Sequence, residues 1–91
     1  MRKTARTVIK EHLCKQISET RVKNKWTKKT MAEKLAMDDR SYSDIEKGVY
    51  ACSMVTLVMY VAFVLDSKEE NELFSVLRKK IEEVWLEEDE V

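Results

Sequence analysis

A scarcity of turn-forming residues constrains this fold more than any other feature. The chain of 91 residues has no proline and a single glycine, Gly48, while 37% of its residues are charged. Strand-rich domains need many such residues at their turns, so the composition predicts an all-α protein. The length suits one hydrophobic core, and we predict a single domain over residues 1–91.

Apolar periodicity and capping residues divide the chain into five predicted helices. The first is an extended helix from about Thr4 to Lys23. The last is an amphipathic helix over residues 67–88, with an acidic outer face. The second, third, fourth and fifth predicted helices each follow a residue whose side-chain oxygen can cap the helix. These caps are Thr27, Asp38, Ser53 and Ser67, the last in a Ser67-Lys68-Glu69-Glu70 capping box.

The fourth predicted helix is apolar on nearly every side. Its sequence, MVTLVMYVAFVL, follows Ser53. A helix without a polar face must be buried all round, which one small domain can rarely achieve. We therefore expect it to contact the first helix, the last helix or a second subunit. A homodimer surface is expected at Val55, Val58, Met59 and Phe63, together with the apolar stripe of the fifth helix.

A formal net charge of zero hides a strong asymmetry along the chain. Residues 1–29 carry ten Lys or Arg and two acids, whereas residues 66–91 carry four bases and ten acids. One interpretation is that the basic front meets an anion, with Arg2, Lys3, Arg6 and Lys10 at phosphates, while the acidic C-terminal helix contacts a protein. The alternatives are that both are solvated surfaces, or that they pair with each other.

Several classes of function find no support in the sequence. Cys14 and Cys52 fit neither a disulfide framework nor a zinc spacing, and His12 lacks further ligands. No nucleophile–base grouping or glycine-rich phosphate loop is present, so we expect neither an enzyme nor a cofactor. The chain has no apolar run of membrane-spanning length and no signal peptide, which predicts a cytoplasmic protein without membrane contacts.

Residues 27–48 have the spacing of a helix-turn-helix, because only Ala36-Met37-Asp38 separates the second and third helices. Gly48 is placed as a left-handed C-terminal stop. The pattern consists of Thr27, Lys28, Met31, Ala32, Leu35, Ala36, Met37 and Asp38, then Tyr42, Ile45, Glu46, Gly48, Ser53, Thr56 and Leu57. With this pattern, Trp26 to Leu65 resembles the lambda-repressor-like, Cro-type family of helix-turn-helix regulators, also called the xenobiotic-response-element family.

The resemblance implies a five-helix lambda-repressor-like domain that binds double-stranded DNA as a homodimer and regulates transcription. Thr27, Lys28 and Lys29 would contact a phosphate at the start of the second helix. The third helix would be the recognition helix. Its outward residues Asp39, Arg40, Ser43, Asp44 and Lys47 would face base edges.

Two substitutions depart from the family pattern without excluding it. Lys28 replaces the usual glutamine and keeps a positive charge for phosphate. Ala36 replaces the usual turn glycine, which makes a left-handed conformation costlier by about 1 kcal/mol.

The charge of the recognition helix conflicts with DNA binding. From Asp38 to Lys47 it carries four acids and two bases, Arg40 and Lys47. Asp38 has an alternative use as a cap, whereas Asp39 and Asp44 would either read bases or repel phosphates. An acidic helix is also what a different class predicts, namely a protein–protein interaction module or antitoxin-like accessory protein on the same scaffold.

Overall fold

Five helices make up the described part of the chain. The computed structural model describes the backbone of residues 4–89 and the side chains of residues 4–84. The helices are α1 (Ala5–Lys23), α2 (Lys28–Lys34), α3 (Asp39–Glu46), α4 (Met54–Phe63) and α5 (Ser67–Asp89). With no strand among these residues, the all-α prediction is confirmed. Arg2 and Lys3, the first two of the predicted phosphate contacts, lie outside the described residues.

Side-chain caps begin the short helices as predicted. The Thr27 hydroxyl accepts a hydrogen bond from the backbone N–H of Thr30 at 3.1 Å, and the Ser53 hydroxyl accepts one from Thr56 at 3.1 Å. Thr4 caps α1 in the same way. Each cap satisfies a donor that has no partner within its helix, which fixes where the helix starts.

Helix α5 starts at residue 67 as predicted, but its capping residue differs from the prediction. Asp66, not Ser67, is the cap: its Oδ1 accepts from the Glu69 N–H at 2.8 Å, and the Glu69 carboxylate accepts from the Asp66 N–H at 3.1 Å. This is a reciprocal capping box. The carboxylate of Asp66 carries a full negative charge at the positive end of the helix, which favours it over the Ser67 hydroxyl.

The largest completely buried side chains of the core come one from each helix. These residues are Ile17, Met31, Tyr42, Tyr60 and Leu73. The Tyr60 hydroxyl lies 2.8 Å from Thr20 Oγ1, so a buried hydrogen bond ties α4 to α1. Lys23 at the end of α1 lies 3.7 Å from Glu69 at the start of α5, and the two long helices pack against each other in antiparallel fashion.

Within a single chain, α4 is buried on one side only, and its expected contact with a second subunit stays a prediction. Only Thr56 and Tyr60 of α4 are buried, whereas Val55 and Phe63 are 72% and 68% exposed. The reason is that α5 packs against α1 and leaves one side of α4 uncovered. None of the described helices is long and apolar enough to cross a membrane.

Three residues of the α5 stripe that was expected at a subunit contact are buried within the chain instead. Leu73, Leu77 and Val84 are buried within the chain, where α5 packs against α1. Met59, one of the predicted contacts on α4, is half-buried against the core. The uncovered apolar surface of α4 is therefore narrower than the sequence suggested.

The turn between α2 and α3 holds an alanine in a left-handed conformation. Ala36 has φ of +56°, and Gly48 after α3 has φ of +74° as predicted. An L-residue in this region pays about 1–2 kcal/mol because its Cβ approaches the following carbonyl. Gly48 avoids that cost and Ala36 does not, so the turn is strained at Ala36.

Replacing Ala36 by glycine is expected to stabilise the protein by about 0.5–1 kcal/mol, because relief of the Cβ contact exceeds the added freedom of the unfolded chain. The midpoint of thermal unfolding should rise by a few degrees. Ala51→Gly is the matched control, since Ala51 is exposed and has no positive φ. That change should destabilise slightly, and equal effects of both substitutions would contradict strain at Ala36.

Candidate nucleic-acid interface

The five predicted recognition residues share one face of α3. Tyr42 and Ile45 are buried on the opposite side. At 100° per residue, the predicted set spans an arc of about 140°, clear of both buried positions. The structure brings these residues together: Asp39, Arg40 and Lys47 are exposed, and Ser43 and Asp44 are half-buried.

Glu46 belongs to the interior side of α3 and is bound to α1. Its Oε2 accepts from Arg21 Nε at 2.6 Å, and its Oε1 accepts from Arg21 Nη2 at 3.2 Å. The Ser18 hydroxyl donates to Oε1 at 3.2 Å. The guanidinium also donates from Nη1 to the backbone carbonyl of Trp26 at 3.0 Å. These contacts, which we call the Arg21–Glu46 fork, join α1 to α3 through paired charges. The hydrogen bond to the Trp26 carbonyl joins α1 to the residue before the Thr27 cap.

Asp38 is occupied at the first turn of α3. One carboxylate oxygen accepts from the Ser41 N–H at 2.8 Å, and the other accepts from the Ser41 hydroxyl at 2.8 Å. These hydrogen bonds hold the pKa of Asp38 below its usual range. The structure therefore supports the capping role of Asp38, and the carboxylate faces N–H and O–H donors of its own helix.

The charge conflict found in the sequence is smaller in the structure. Glu46 faces α1 and Asp38 caps α3, so Asp39 and Asp44 are the acids left on the outward face. The outward face therefore carries two acids, and its two bases, Arg40 and Lys47, balance their charge. A count along the sequence treats every acid alike, whereas a helix directs side chains separated by 100° to different surroundings.

The start of α2 adds positive charge that the acidic helix does not cover. Lys28 and Lys29 are exposed there, next to the Thr27 cap. The acidic α5 packs against α1 instead. Pairing of the basic front with the acidic tail occurs in part, since Lys23 contacts Glu69 at 3.7 Å. That pair leaves the two lysines of α2 accessible.

The Arg21–Glu46 fork makes the fold sensitive to acid. Burial disfavours the charged carboxylate, but the hydrogen bonds from Arg21 and Ser18 and the charge of Arg21 outweigh it, so the pKa of Glu46 lies below its usual value. The stabilisation from this group is complete above the ordinary glutamate pKa of about 4.3 and is lost as the pH falls through the lower folded-state value.

We therefore expect the free energy of unfolding of Glu46→Gln to fall less than that of wild type when the pH is lowered from neutral to below the folded-state pKa of Glu46. The measurement is the free energy of unfolding by urea at a series of pH values. Part of the slope should remain in the variant, because the pKa of Asp38 is lowered as well. An identical slope in wild type and variant would show that Glu46 makes no such contribution.

The described residues contain no cluster of side chains suited to binding a metal ion. No group of three or more His, Cys, Asp or Glu side chains in that part is placed to hold a metal ion. Cys14 is a buried free thiol and Cys52 is a half-buried one. Burial raises the pKa of both thiols, which disfavours the reactive thiolate.

Comparisons with known proteins give no relative from which a function would follow. No protein-family model, no curated protein and no solved structure matches this chain. Function therefore has to be argued from the chemistry of the α2–α3 surface itself.

Proposed function

We propose that this protein is a sequence-specific DNA-binding regulator of transcription, built on a lambda-repressor-like helix-turn-helix and acting as a homodimer. One observation carries the proposal: Glu46 of α3 is bound by Arg21 within the fold, and Asp38 is used as the cap of α3, although it stays exposed. The outward face then carries two acids and two bases, and Lys28 and Lys29 at the start of α2 add positive charge to the helix-turn-helix. The interaction-module alternative rests on the acidity of this helix, which the pairing of Glu46 with Arg21 reduces by one charge.

Base reading would fall to the outward side chains of α3. Arg40 is exposed and can donate two parallel hydrogen bonds to guanine O6 and N7. The Ser43 hydroxyl can donate or accept. Asp39 and Asp44 can accept from a cytosine amino group and would reject bases that offer only acceptors there. Together these side chains favour G·C pairs in the stretch of DNA that one copy of α3 contacts.

Phosphate contacts would fall to the start of α2. Lys28 and Lys29 are exposed ammonium groups that bind phosphate as point charges without reading bases. Phosphate contacts fix the register of a protein on the duplex, which lets α3 present its side chains to the major groove. The lysines supply affinity, and α3 supplies choice of sequence.

Two copies are needed because α3 is only eight residues long. A single recognition helix contacts few base pairs, whereas a two-fold dimer reads two half-sites about one helical turn apart. We therefore expect an operator with two-fold sequence symmetry.

The test is selection of binding sites from random duplex DNA, followed by affinity measurement at two salt concentrations. If a dimer neutralises about six phosphates, affinity should fall about 1,000-fold between 50 and 200 mM salt. The selected sites should be palindromic. Absence of salt-sensitive binding to any duplex would reject the proposal.

Arg40→Ala is expected to relax the preference for guanine at one position of each half-site. The loss of discrimination there should be about 1–3 kcal/mol, because a bidentate base contact is removed. The measurement compares the affinities of wild type and variant for the selected site and for sites changed at single base pairs. Uniform weakening across all sites would instead assign Arg40 to a phosphate.

A further inference from the structure

The only histidine of the chain, His12, lies where the two long helices meet. Its side chain lines two cavities, of about 520 and 320 Å³, whose walls come from α1 and α5. Lys15 of α1 and Lys80 of α5 line both cavities with it. The charged side chains that line these cavities are Glu11, Lys15, Glu19 and Lys23 of α1, with Glu69, Glu72 and Lys80 of α5.

One nitrogen of the His12 ring is shielded from solvent and has no partner. Nε2 makes no hydrogen bond to any residue that the structure describes. The neutral ring can leave this nitrogen without a proton, whereas an imidazolium carries an N–H at both ring nitrogens. A buried N–H that finds no acceptor costs free energy. The position therefore favours the neutral ring over the imidazolium.

The charges beside the ring also act against protonation. Burial lowers the pKa of His12 below its ordinary value of 6.5, and the ammonium groups of Lys80 and Lys15 lower it further. A hydrogen bond with Gln16 and the carboxylate of Glu19 act in the opposite direction. Glu19 already pairs with Lys15 at 3.9 Å, which leaves Lys80 of α5 as the cation across the contact.

The two halves of α5 are held against α1 by different kinds of contact. At the start of α5, Glu69 lies 3.7 Å from Lys23 of α1, so opposite charges hold the helices together there. Farther along, the buried side chains of Leu77 and Val84 are apolar, and Lys80 lies between them in the chain. A new positive charge beside Lys80 would therefore act on the later half of α5.

We propose that His12 is a pH-sensitive switch in the α1–α5 contact: its protonation loosens residues 77–84 of α5 from α1, while the start of α5 stays in place. Protonation sets a cation beside the ammonium groups of Lys15 and Lys80 and leaves a shielded N–H without an acceptor. The contact is at full strength above the ordinary histidine pKa of about 6.5 and weakens as the pH falls through the lower folded-state value. The switch requires no DNA and is independent of the proposed function.

The experiment combines two NMR measurements on the full chain without DNA, from about pH 7.5 to about pH 5, the range in which histidine titrates. Because His12 is the only histidine, its ring protons report one titration, with an expected midpoint below 6.5. Amide protection factors, which are corrected for the intrinsic pH dependence of exchange, should fall in residues 77–84 and change little in residues 71–74. The fall should equal the ratio of the acid dissociation constants of the imidazolium in the closed and open states.

Three variants separate the switch from other effects of pH. His12→Gln keeps a polar side chain that does not titrate, so its amide protection should stay constant over this range. Lys80→Met should raise the midpoint of His12 toward its ordinary value and reduce the loss of protection. Lys79→Met is the matched control, since Lys79 is exposed and lines neither cavity, and it should behave like wild type.

Four results would overturn the proposal. The first is a His12 midpoint at or above 6.5, and the second is a loss of α5 protection that persists in His12→Gln. The third is an equal loss in residues 71–74 and 77–84, which would mean that the helix does not open locally. The fourth is the same midpoint in Lys79→Met and Lys80→Met. Ordinary carboxylates titrate near pH 4, below this range, and do not produce the expected response.

Discussion

Reversing both lysines at the start of α2, Lys28→Glu with Lys29→Glu, is expected to weaken duplex binding by about 1,000-fold or more at 100 mM salt. Both side chains are exposed, and neither is covered by α5. In a dimer the change removes four cations and adds four carboxylates at the phosphate surface. The slope of affinity against salt should also become shallower, because fewer counterions are released.

The control for this prediction is a double reversal with the same change in net charge. Lys68→Glu with Lys79→Glu alters two exposed lysines of α5. It should leave most of the affinity, since exposed charges more than about 10 Å from the duplex are screened at this salt. Equal losses in the two double variants would mean that net charge, and not the α2 surface, determines binding.

Arg21→Met is expected to destabilise the protein by about 3 kcal/mol, because removing one partner of a buried pair leaves the other charge uncompensated. The Glu46 side chain is 8% exposed and the Arg21 side chain is 18% exposed. The carbonyl of Trp26 would also lose its donor. The midpoint of thermal unfolding should fall by more than 10 °C.

Two comparison variants show whether the paired charge is responsible. Arg21→Met with Glu46→Leu should recover much of the loss, because no unpaired carboxylate remains at the site. Lys15→Met should change stability by less than about 1 kcal/mol. Lys15 pairs with Glu19 at 3.9 Å, but both side chains are more than 60% exposed. A small effect of Arg21→Met, similar to that of Lys15→Met, would contradict the structural role of the fork.

Local chemistry explains why much of the fold is predictable from the sequence. Caps act within one helical turn, so Thr27, Asp38 and Ser53 fix the starts of α2, α3 and α4 without knowledge of the tertiary structure. The stop at Gly48 depends on its own backbone angle. The five recognition residues share a face because helical periodicity requires it. What they bind stays a prediction.

Long-range packing explains what the sequence could not supply. Arg21 and Glu46 are 25 residues apart, and their pairing depends on how α1 crosses α3. Counting Glu46 with the exposed acids of α3 therefore overstated the acidity of its outward face. One side of α4 is exposed because α5 packs against α1. Apolar periodicity alone does not determine which helix α5 contacts. Arg21 lies on α1 and its acidic partner lies on α3, so the sequence could indicate that an arginine is present there but not which acid it pairs with.

The most direct test of the central claim is residue-resolved NMR of the full chain titrated with a selected duplex. Our account predicts that the largest changes in backbone amide shifts fall in residues 27–29 and 39–47, with small changes along α5 beyond residue 70. Raising the salt concentration should reverse these changes. Shifts concentrated in α5, with the amides of α3 unaffected by duplex, would contradict the assignment of α3 as the DNA-reading helix.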